Sequence, residues 1–244
     1  MNLTIVTACW KRPEVFEMFA EGVKMLQKHF EGRINITVTC AGSEGERSKN
    51  MVEKHNFSYV EYHNKALGTK MNKAAILARQ HEPDYCLFVG SDDIIAPNLL
   101  EVYYEEMQKG IDYLYVKDWY FFDLGTKQGL YWAGYDLKVN RGHACGAGRV
   151  LSKRVMEGLN YQPWFDNKLH DVLDTSFDRR LRSVRGLGVK QKGWFLRDID
   201  AFGLDIKSAT NMTPFAKWRN SKYMDGKDLL FDNLPKALAK KIYQ

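Results

Sequence analysis

Short apolar segments alternate with helix-like segments over the first 110 residues of the chain. Runs of apolar and β-branched residues predict four strands, at residues 3–7, 34–39, 57–62 and 85–89. Apolar residues spaced three and four apart predict helices after Pro13, from Gly68 and after Pro97, with Thr69 as the N-cap of the second helix. Strands that alternate with helices predict an α/β fold with a parallel or mostly parallel sheet.

After residue 110 the pattern changes to short, aromatic strands. Such strands are predicted at residues 113–116, 119–122 and 129–135, and helices at residues 152–156, at residues 171–182 and after Pro235. No internal repeat, low-complexity tract or clear linker divides the chain. We therefore expect one domain that spans residues 1–244.

Two adjacent carboxylates, Asp92 and Asp93, follow the apolar strand at residues 85–89. Ligands of open α/β sheets bind beyond the carboxyl ends of the strands, which is where this pair is expected. Neighbouring carboxylates repel each other unless a cation lies between them, and Mg²⁺ is commonly held by one or two carboxylates together with substrate phosphates. The pair therefore predicts a divalent cation that binds a diphosphate. The alternative is that Asp92 only caps the next helix.

The composition is that of an ordinary globular protein, with 45% hydrophobic and 27% charged residues. The 4 cysteines are far apart and form no CxxC pair. This spacing argues against a zinc site or a disulfide framework and favours the reducing cytoplasm. The sequence contains neither a signal-peptide pattern nor an apolar run of about 18 residues, so no integral membrane association is expected.

The net charge of +6 is concentrated in the second half of the chain. Residues 1–122 carry 14 Lys and Arg against 17 Asp and Glu, whereas residues 123–244 carry 22 against 13. Such asymmetry favours a polyanionic partner, for example a nucleic acid, a membrane surface or a phosphorylated substrate. Solvated lysines alone can produce the same balance.

The order of these motifs, from residue 3 to about residue 182, resembles the GT-A glycosyltransferases, particularly those similar to family 2. The segment Thr7–Glu14 resembles the turn that receives the nucleotide base, and Gly68–Ala74 matches a G-x-x-x-N-x-A segment. Ser91-Asp92-Asp93 resembles the family's acidic metal motif. The resemblance implies a Rossmann-like GT-A fold, with a nucleotide-sugar-binding half at residues 1–110 and an acceptor half of strands and helices at residues 111–244.

The resemblance also implies a donor site and a metal site. Asp92 and Asp93 would bind Mg²⁺ or Mn²⁺, and a helix N-terminus near Gly68 would favour the diphosphate of a nucleotide-sugar. The donor-binding residues implied by the resemblance are Thr7, Ala8, Cys9, Arg12, Gly68, Lys70, Asn72, Ser91 and Asp92.

Asp174 takes the place of the general base of inverting members, because Leu173–Leu181 is similar to the family's Glu-Asp-x-x-Leu-x-x-Arg segment. A carboxylate suits this role if partial burial raises its pKa. The alternative is a solvated helix face formed by Asp171, Asp174 and Asp178.

Two positions depart from the family pattern. Gly90 stands where the first Asp of the metal motif is common, and Ala41-Gly42-Ser43-Glu44 replaces the usual acidic turn after the second strand. Ser43 or Glu44 could substitute in that turn. A UDP-sugar is still the donor that the resemblance favours.

The C-terminal segment combines acidic, basic and aromatic residues. Asp198, Asp200 and Asp205 could supply a third metal ligand or order a closing loop. Lys207, Asn211 and Thr213 could contact phosphates. Basic and aromatic residues together suit nucleic acid, and the acceptor-binding residues expected here are Trp194, Arg197, Lys207, Trp218 and Arg219. Aromatic residues between charges can equally form a small core beneath extended lysines.

Together with these observations, the resemblance implies a metal-dependent, inverting glycosyltransferase that acts on a hydroxyl group. The basic second half favours a DNA acceptor with hydroxymethylated bases, as in phage DNA modification inside the host cytoplasm. The first alternative is a surface-glycan or lipopolysaccharide glycosyltransferase, which the same charge would also serve. The second is a non-catalytic nucleic-acid-binding module on the same scaffold.

Overall fold

The computed structural model describes residues 1–135, 143–164, 173–211, 215 and 221–244. The strands in these ranges are β1 (Asn2–Ala8), β2 (Asn35–Gly42), β3 (Ser58–Glu61), β4 (Tyr85–Phe88), β5 (Asp93–Ile95), β6 (Tyr113–Val116), β7 (Trp119–Asp123), β8 (Gln128–Trp132), β9 (Arg149–Ser152), β10 (Gln191–Trp194), β11 (Gly203–Lys207) and β12 (Lys222–Asp225). The α-helices are α1 (Pro13–His29), α2 (Glu46–Glu53), α3 (Leu67–Leu77), α4 (Pro97–Gln108), α5 (Lys153–Gly158), α6 (Leu173–Arg182), α7 (Gly226–Asn233) and α8 (Lys236–Tyr243). Among the described residues, no helix has both the length and the apolar character needed to cross a membrane.

The larger sheet has seven strands in the order β10-β6-β9-β4-β1-β2-β3. Its strands pair in parallel except for β9, which is antiparallel to both β4 and β6. The predicted fold class is therefore confirmed: a mostly parallel central sheet is flanked by helices.

Alternate side chains of the central strands pack into two different hydrophobic cores. Leu3 and Ile5 of β1 share a core with α1 and α4, whereas Val6 shares the other with α3 and α5. Side chains of a strand point alternately to its two faces, and here both faces are covered. This double burial explains why β1 and β4 appear in the sequence as continuous apolar runs.

The second sheet has five strands in the order β12-β8-β7-β11-β5. The chain leaves the larger sheet after Phe88 and enters this sheet at Asp93. The acidic segment therefore lies where the two sheets meet. β5 pairs antiparallel with β11, and the register places Asp93 opposite Asp205. A third core, to which Phe122, Ile206 and Leu230 contribute, packs α7 and α8 onto this sheet.

Two predictions about helix caps are wrong. Helix α3 begins at Leu67 with Ala66 as its N-cap, so Thr69 lies inside the helix. The early start places Gly68 so closely against Trp164 that a β-carbon at position 68 would be 3.2 Å from the Trp164 β-carbon. Asp92 does not cap α4 either, because β5 intervenes and Ala96 is the N-cap.

Several elements were not predicted from the sequence, namely α2, α7, β5, β9, β10, β11 and β12. Helix α2 buries only Ser48, Met51 and Val52, which is too little apolar surface for a clear helical period. Strand β9 begins with Arg149, a charged residue that is 1% exposed. Charged residues are rarely buried in this way, so the pattern gave no indication of a central strand there.

Candidate active site

A cleft of about 640 Å³ opens at the carboxyl ends of β1 and β4. Ala8, Cys9, Trp10 and Arg12 line it from the loop after β1. The residues that follow β4 line it next, and the other lining residues include several from the stretch between positions 119 and 211. These are Trp119, Phe121, Trp132, Tyr135, Cys145, Arg149, Trp164, Asp174, Asp205, Lys207 and Asn211. Clefts of this size hold ligands of nucleotide dimensions.

Asp92 lies in the cleft and accepts two hydrogen bonds on one oxygen. Arg12 Nη1 is 2.7 Å from Asp92 Oδ2, and Asn211 Nδ2 is 2.8 Å from the same atom. The Arg12 and Asp92 side chains are 18% and 15% exposed, so their ion pair is largely shielded from water. A shielded, charge-assisted hydrogen bond is stronger than a surface one.

Asp93 and Asp205 face each other across the β5–β11 pair. Asp93 Oδ2 accepts a hydrogen bond from the Gly90 amide at 2.5 Å, and Asp205 Oδ2 pairs with Lys207 Nζ at 2.6 Å. Burial, together with the charges of Asp205 and Asp92, raises the pKa of Asp93 well above its usual value. Burial and the Asp92 charge also raise the pKa of Asp205, to about 6, although Lys207 opposes the shift.

Asp92, Asp93 and Asp205 form an acidic cluster that fits a divalent cation. Each offers one carboxylate oxygen, and these oxygens all lie within 4.8 Å of one another. Two oxygens bound to one Mg²⁺ at about 2.1 Å each can be no more than about 4.2 Å apart. Even the most widely separated pair of these oxygens would therefore have to approach by only about 0.6 Å to bind the same ion. Asp205 Oδ1 is buried and has no hydrogen-bond partner among the described residues. An orphaned carboxylate oxygen in such a cluster is an available metal ligand.

Gly90 provides the space that the acidic cluster needs. A β-carbon at position 90 would be 2.5 Å from Asp92 Oδ1 and 3.1 Å from Asp93 Oδ2. Real β-carbons do not approach other atoms at the shorter of these distances. A side chain at position 90 would therefore displace at least one of the two carboxylates from the place it occupies here.

Asp174, in the first turn of α6, forms part of the wall of the cleft. Its Oδ2 accepts a hydrogen bond from the Tyr135 hydroxyl, and its Oδ1 is 3.2 Å from Arg149 Nη2. The side chain remains 27% exposed. Burial and the Asp174 charge raise the pKa of Tyr135, so this hydroxyl stays protonated and donates to Asp174.

Arg149 is a buried guanidinium that fixes this wall. It donates to the carbonyl oxygens of Cys145 at 2.8 Å and Ala144 at 3.0 Å. It also pairs with Asp178, whose Oδ1 is 3.6 Å from Arg149 Nη1. Burial raises the pKa of Asp178 and the Arg149 charge opposes that shift. One cation thus holds two carboxylates of α6, one of which faces the cleft.

Lys70 lines the cleft as a buried side chain and donates hydrogen bonds to the neighbouring loops. Its Nζ donates to the Cys9 carbonyl at 2.5 Å, to Ser43 Oγ at 3.0 Å and to Asn64 Oδ1 at 3.3 Å. Burial lowers the pKa of Lys70. In this arrangement the lysine stabilises the loop after β1.

Glu44 also stabilises that loop, because its Oε2 accepts the Lys11 amide at 2.6 Å. Ser43 and Glu44, in the turn after β2, thus both take part in the contacts that hold the loop after β1.

Only some of the other expected donor residues line the cleft. Ser91 lines the cleft and is buried. Thr7, Gly68 and Asn72 are not among the residues that line it. Asn72 instead fastens the segment that carries Trp164, by donating to the Trp164 carbonyl at 2.9 Å and accepting its amide at 3.1 Å.

The expected acceptor residues are not brought together among the described residues. Lys207 lines the cleft, but Trp194 and Arg197 do not. Trp194 packs on Tyr103, with ring centroids 6.0 Å apart, and the Arg197 guanidinium lies 3.3 Å from the centre of the Tyr131 ring. Trp218, Arg219 and Thr213 lie outside the described residues.

Four residues that line the cleft were not predicted from the sequence: Trp132, Tyr135, Arg149 and Trp164. The glycines at positions 142, 146 and 148 were the one sequence signal near Arg149, since glycine allows the backbone to approach a neighbouring group closely.

No protein-family model matches the chain, and no curated protein matches its sequence. Solved structures do resemble it. The inositol-1-phosphate CTP transferase from T. maritima has a TM-score of 0.51 at 14% identity, and the match covers 100% of this chain and 97% of that one. TarS residues 1–349 from S. aureus have a TM-score of 0.50 at 13% identity, with 100% and 69% covered. At these identities the likeness establishes the fold alone: the chain has the mixed α/β fold of these proteins.

Proposed function

We propose that this protein is a metal-dependent glycosyltransferase that moves a sugar from a nucleotide-sugar to a hydroxyl group. The observation that carries the proposal is the acidic cluster of Asp92, Asp93 and Asp205 in a cleft at the carboxyl ends of β1 and β4. This is the edge of an α/β sheet at which nucleotides bind.

The donor side of the proposed site consists of the acidic cluster and the loop after β1. The carboxylates of the cluster would hold Mg²⁺ or Mn²⁺, and such an ion neutralises charge that develops on a diphosphate leaving group. Cys9, Trp10 and Arg12 line the cleft beside the cluster and would contact the nucleotide. A UDP-sugar is the donor we propose.

The acceptor side of the proposed site centres on Asp174. Its carboxylate would remove the proton from an acceptor hydroxyl, whose oxygen then forms a bond to the anomeric carbon of the sugar. The bond from that carbon to the diphosphate breaks, and the nucleoside diphosphate leaves with its electron pair and with inversion at the carbon. Tyr135 and Arg149, which contact the two oxygens of Asp174, would hold the base in position.

The proposed acceptor is a polyanion, with hydroxymethylated bases in DNA as the first choice. Support comes from the 22 Lys and Arg against 13 Asp and Glu in residues 123–244. Arg179, Arg182, Arg185 and Lys190 are exposed on and after α6, the helix that carries Asp174. A phosphorylated surface glycan or lipopolysaccharide is the alternative acceptor.

Release of a nucleoside diphosphate tests the proposal. The wild-type protein with Mn²⁺ and a panel of nucleotide-sugars should release nucleoside diphosphate, and Asp92→Asn should abolish the release while the circular dichroism spectrum is unchanged. Asp198→Asn is the matched control, because Asp198 is an exposed aspartate outside the cleft. Equal release by the wild type and by Asp92→Asn would refute the role of the cluster.

A second candidate is nucleotidyl transfer, because one structural neighbour, which matches this chain over 97% of its own length, is a CTP transferase. The same cleft would then take CTP and a phosphorylated acceptor, and would release pyrophosphate. Incubation with CTP and sugar or polyol phosphates separates the two reactions by product. If neither pyrophosphate nor nucleoside diphosphate is released, a non-catalytic nucleic-acid-binding module becomes the better description.

A further inference from the structure

We propose that Arg12 is an internal counterion that occupies Asp92 until the donor arrives, so that metal and donor bind cooperatively. The inference rests on the proposed function and adds to it an order of events. It assigns Arg12 two alternative partners: the carboxylate of Asp92 in the empty cleft and the diphosphate in the loaded one.

The hydrogen bonds on Asp92 show that the contact competes with a metal ion. Asp92 Oδ2 accepts from Arg12 Nη1 at 2.7 Å and from Asn211 Nδ2 at 2.8 Å. A carboxylate oxygen offers about two lone-pair sites, so this oxygen has none left for a metal. The other oxygen, Oδ1, lies over Gly90, which has no side chain, and is engaged by neither Arg12 nor Asn211. A metal that binds Oδ2, alone or together with Oδ1, therefore requires Arg12 or Asn211 to leave, and a metal on Oδ1 alone would lie next to the Arg12 charge.

The charges around the cluster lead to the same conclusion. Three carboxylates, those of Asp92, Asp93 and Asp205, are accompanied by two cations, Arg12 and Lys207. Lys207 lies two residues beyond Asp205 on the same strand and is 5% exposed, so it cannot move far. Arg12 lies in a loop. A divalent cation that enters beside Arg12 is repelled by the guanidinium until that side chain moves.

The backbone at Arg12 is held in an unusual conformation. Lys11 and Arg12 have φ angles of 54° and 53°, two consecutive non-glycine residues in the left-handed region. Such residues persist where the surroundings hold them, and here the Lys11 amide donates to Glu44 Oε2 at 2.6 Å. From this position, at the N-cap of α1, the Arg12 side chain reaches Asp92.

A donor diphosphate supplies Arg12 with a second partner. Guanidinium groups bind phosphate oxygens in a two-pronged geometry, and Arg12 and the acidic cluster line the same cleft. Transfer of Arg12 to the diphosphate frees Asp92 Oδ2 for the metal, and the metal in turn displaces Arg12 towards the diphosphate. By linkage, each ligand must increase the affinity for the other by the same factor.

The test measures Mn²⁺ affinity from the electron paramagnetic resonance signal of free Mn²⁺, without any turnover. We expect Arg12→Gln to bind Mn²⁺ alone at least about tenfold more tightly than the wild type, since one positive charge next to the ion is removed. We also expect UDP, with CDP in parallel, to increase Mn²⁺ affinity in the wild type and to do so much less in Arg12→Gln.

Two further variants complete the design. Arg33→Gln is the matched control, because Arg33 is a surface residue that pairs with Glu101 outside the cleft; its Mn²⁺ affinity should equal that of the wild type. If Arg12→Gln does not fold, Arg12→Gly gives the same comparison, because glycine adopts a φ of 53° without strain.

The outcomes separate this inference from the proposed function. Equal Mn²⁺ affinity of the wild type and the Arg12 variants, with Asp92→Asn binding none, overturns the role of Arg12 and leaves the metal site intact. If neither the wild type nor any variant binds Mn²⁺, with or without nucleotide, the proposed metal site is wrong and so is the role of Arg12. Tighter binding by the Arg12 variants together with reduced nucleotide coupling supports both.

Discussion

Position 90 shows how the absence of one side chain shapes the acidic cluster. The loop between β4 and β5 turns so tightly that Asp93 Oδ2 accepts a hydrogen bond from the Gly90 amide and Asp92 Oδ1 lies 2.5 Å from where a β-carbon of residue 90 would be. Glycine is thus the residue that lets both carboxylates converge on one point. An acidic residue at this position would collide with them in this backbone.

Gly90→Ala should therefore disrupt the metal site while the protein still folds. The added methyl group must push Asp92 or Asp93 aside, so we expect Mn²⁺ affinity in the presence of UDP to fall by about tenfold or more, as titration calorimetry would show. Gly186→Ala is the control, since no atom lies within 4 Å of a β-carbon at position 186. Unchanged affinity in Gly90→Ala would mean that the metal does not use these carboxylates.

The raised pKa of Asp205 has a consequence for stability. Its ordinary carboxyl value is 3.8, and in the folded protein the pKa is about 6. Between these values the folded state binds more protons than the unfolded state, so this group makes the protein less stable as the pH rises from about 4 to about 6. The raised pKa of Asp205 is a net effect: burial and the Asp92 charge raise it, and the Lys207 and Arg12 charges lower it.

Without added metal, we expect the unfolding free energy of the wild type to fall relative to that of Asp205→Asn as the pH rises from about 4 to about 6. Urea denaturation at several pH values measures the slope, independently of any constant offset caused by the substitution. A difference that stays flat from pH 4 to 6 would show that Asp205 titrates normally. Because a bound cation favours the charged carboxylate, Mn²⁺ should abolish the slope.

At the residue scale the sequence predicted the local chemistry but not the distant partners. Asp92 and Asp93 were recognised because an apolar strand ends shortly before them. Asp205 was one of three possible third ligands, and only the antiparallel register of β5 and β11 distinguishes it from Asp198 and Asp200. That register depends on tertiary structure, which no local pattern encodes.

At the scale of elements, Arg149 connects β9 to α6. Its guanidinium contacts the Asp174 and Asp178 side chains of α6 and the carbonyl oxygens of the loop that precedes β9. It also lies 4.6 Å from the centre of the Phe177 ring. The wall of the cleft that carries the proposed base is therefore positioned by one buried cation.

Arg149→Met should destabilise the protein by about 3–5 kcal/mol, because it leaves two carboxylates and two carbonyl groups without their partner. Arg179→Met, an exposed arginine on α6, should change the stability by no more than about 0.5 kcal/mol. Chemical denaturation compares the two variants. Similar stabilities would contradict the view that Arg149 holds α6 in place.

Element prediction succeeded where burial follows a simple period. Strands β1 to β4 and helices α1 and α4 were located because their apolar residues form short runs or recur every three to four positions. Helix α2 and strand β9 were missed because the first buries few apolar groups and the second buries an arginine. In both cases tertiary contacts, rather than local sequence, decide the structure.

At the scale of the whole molecule, the uneven charge is the property that bears on the acceptor. If DNA is the acceptor, its affinity should decrease by about tenfold between 50 and 200 mM salt for as few as two phosphate contacts, since bound counterions are released. Fluorescence anisotropy with a labelled duplex measures this dependence. Absence of salt-sensitive binding at low ionic strength would eliminate DNA in favour of a glycan acceptor.

The overall architecture was predictable from the sequence because strands and helices alternate so regularly in residues 1–110. The five-stranded second sheet was not, since it combines strands from residues 93 to 225. This second sheet supplies Asp205 and Lys207, so the part of the molecule hardest to predict is also the part that completes the acidic cluster.

The most direct test of the central claim is a crystal structure of the protein with Mn²⁺ and UDP, examined for anomalous scattering. We expect one strong anomalous peak within about 2.5 Å of oxygens from Asp92 and Asp205, with the diphosphate bound to the same ion. A diphosphate bound in the cleft without any anomalous peak at these carboxylates would contradict the account.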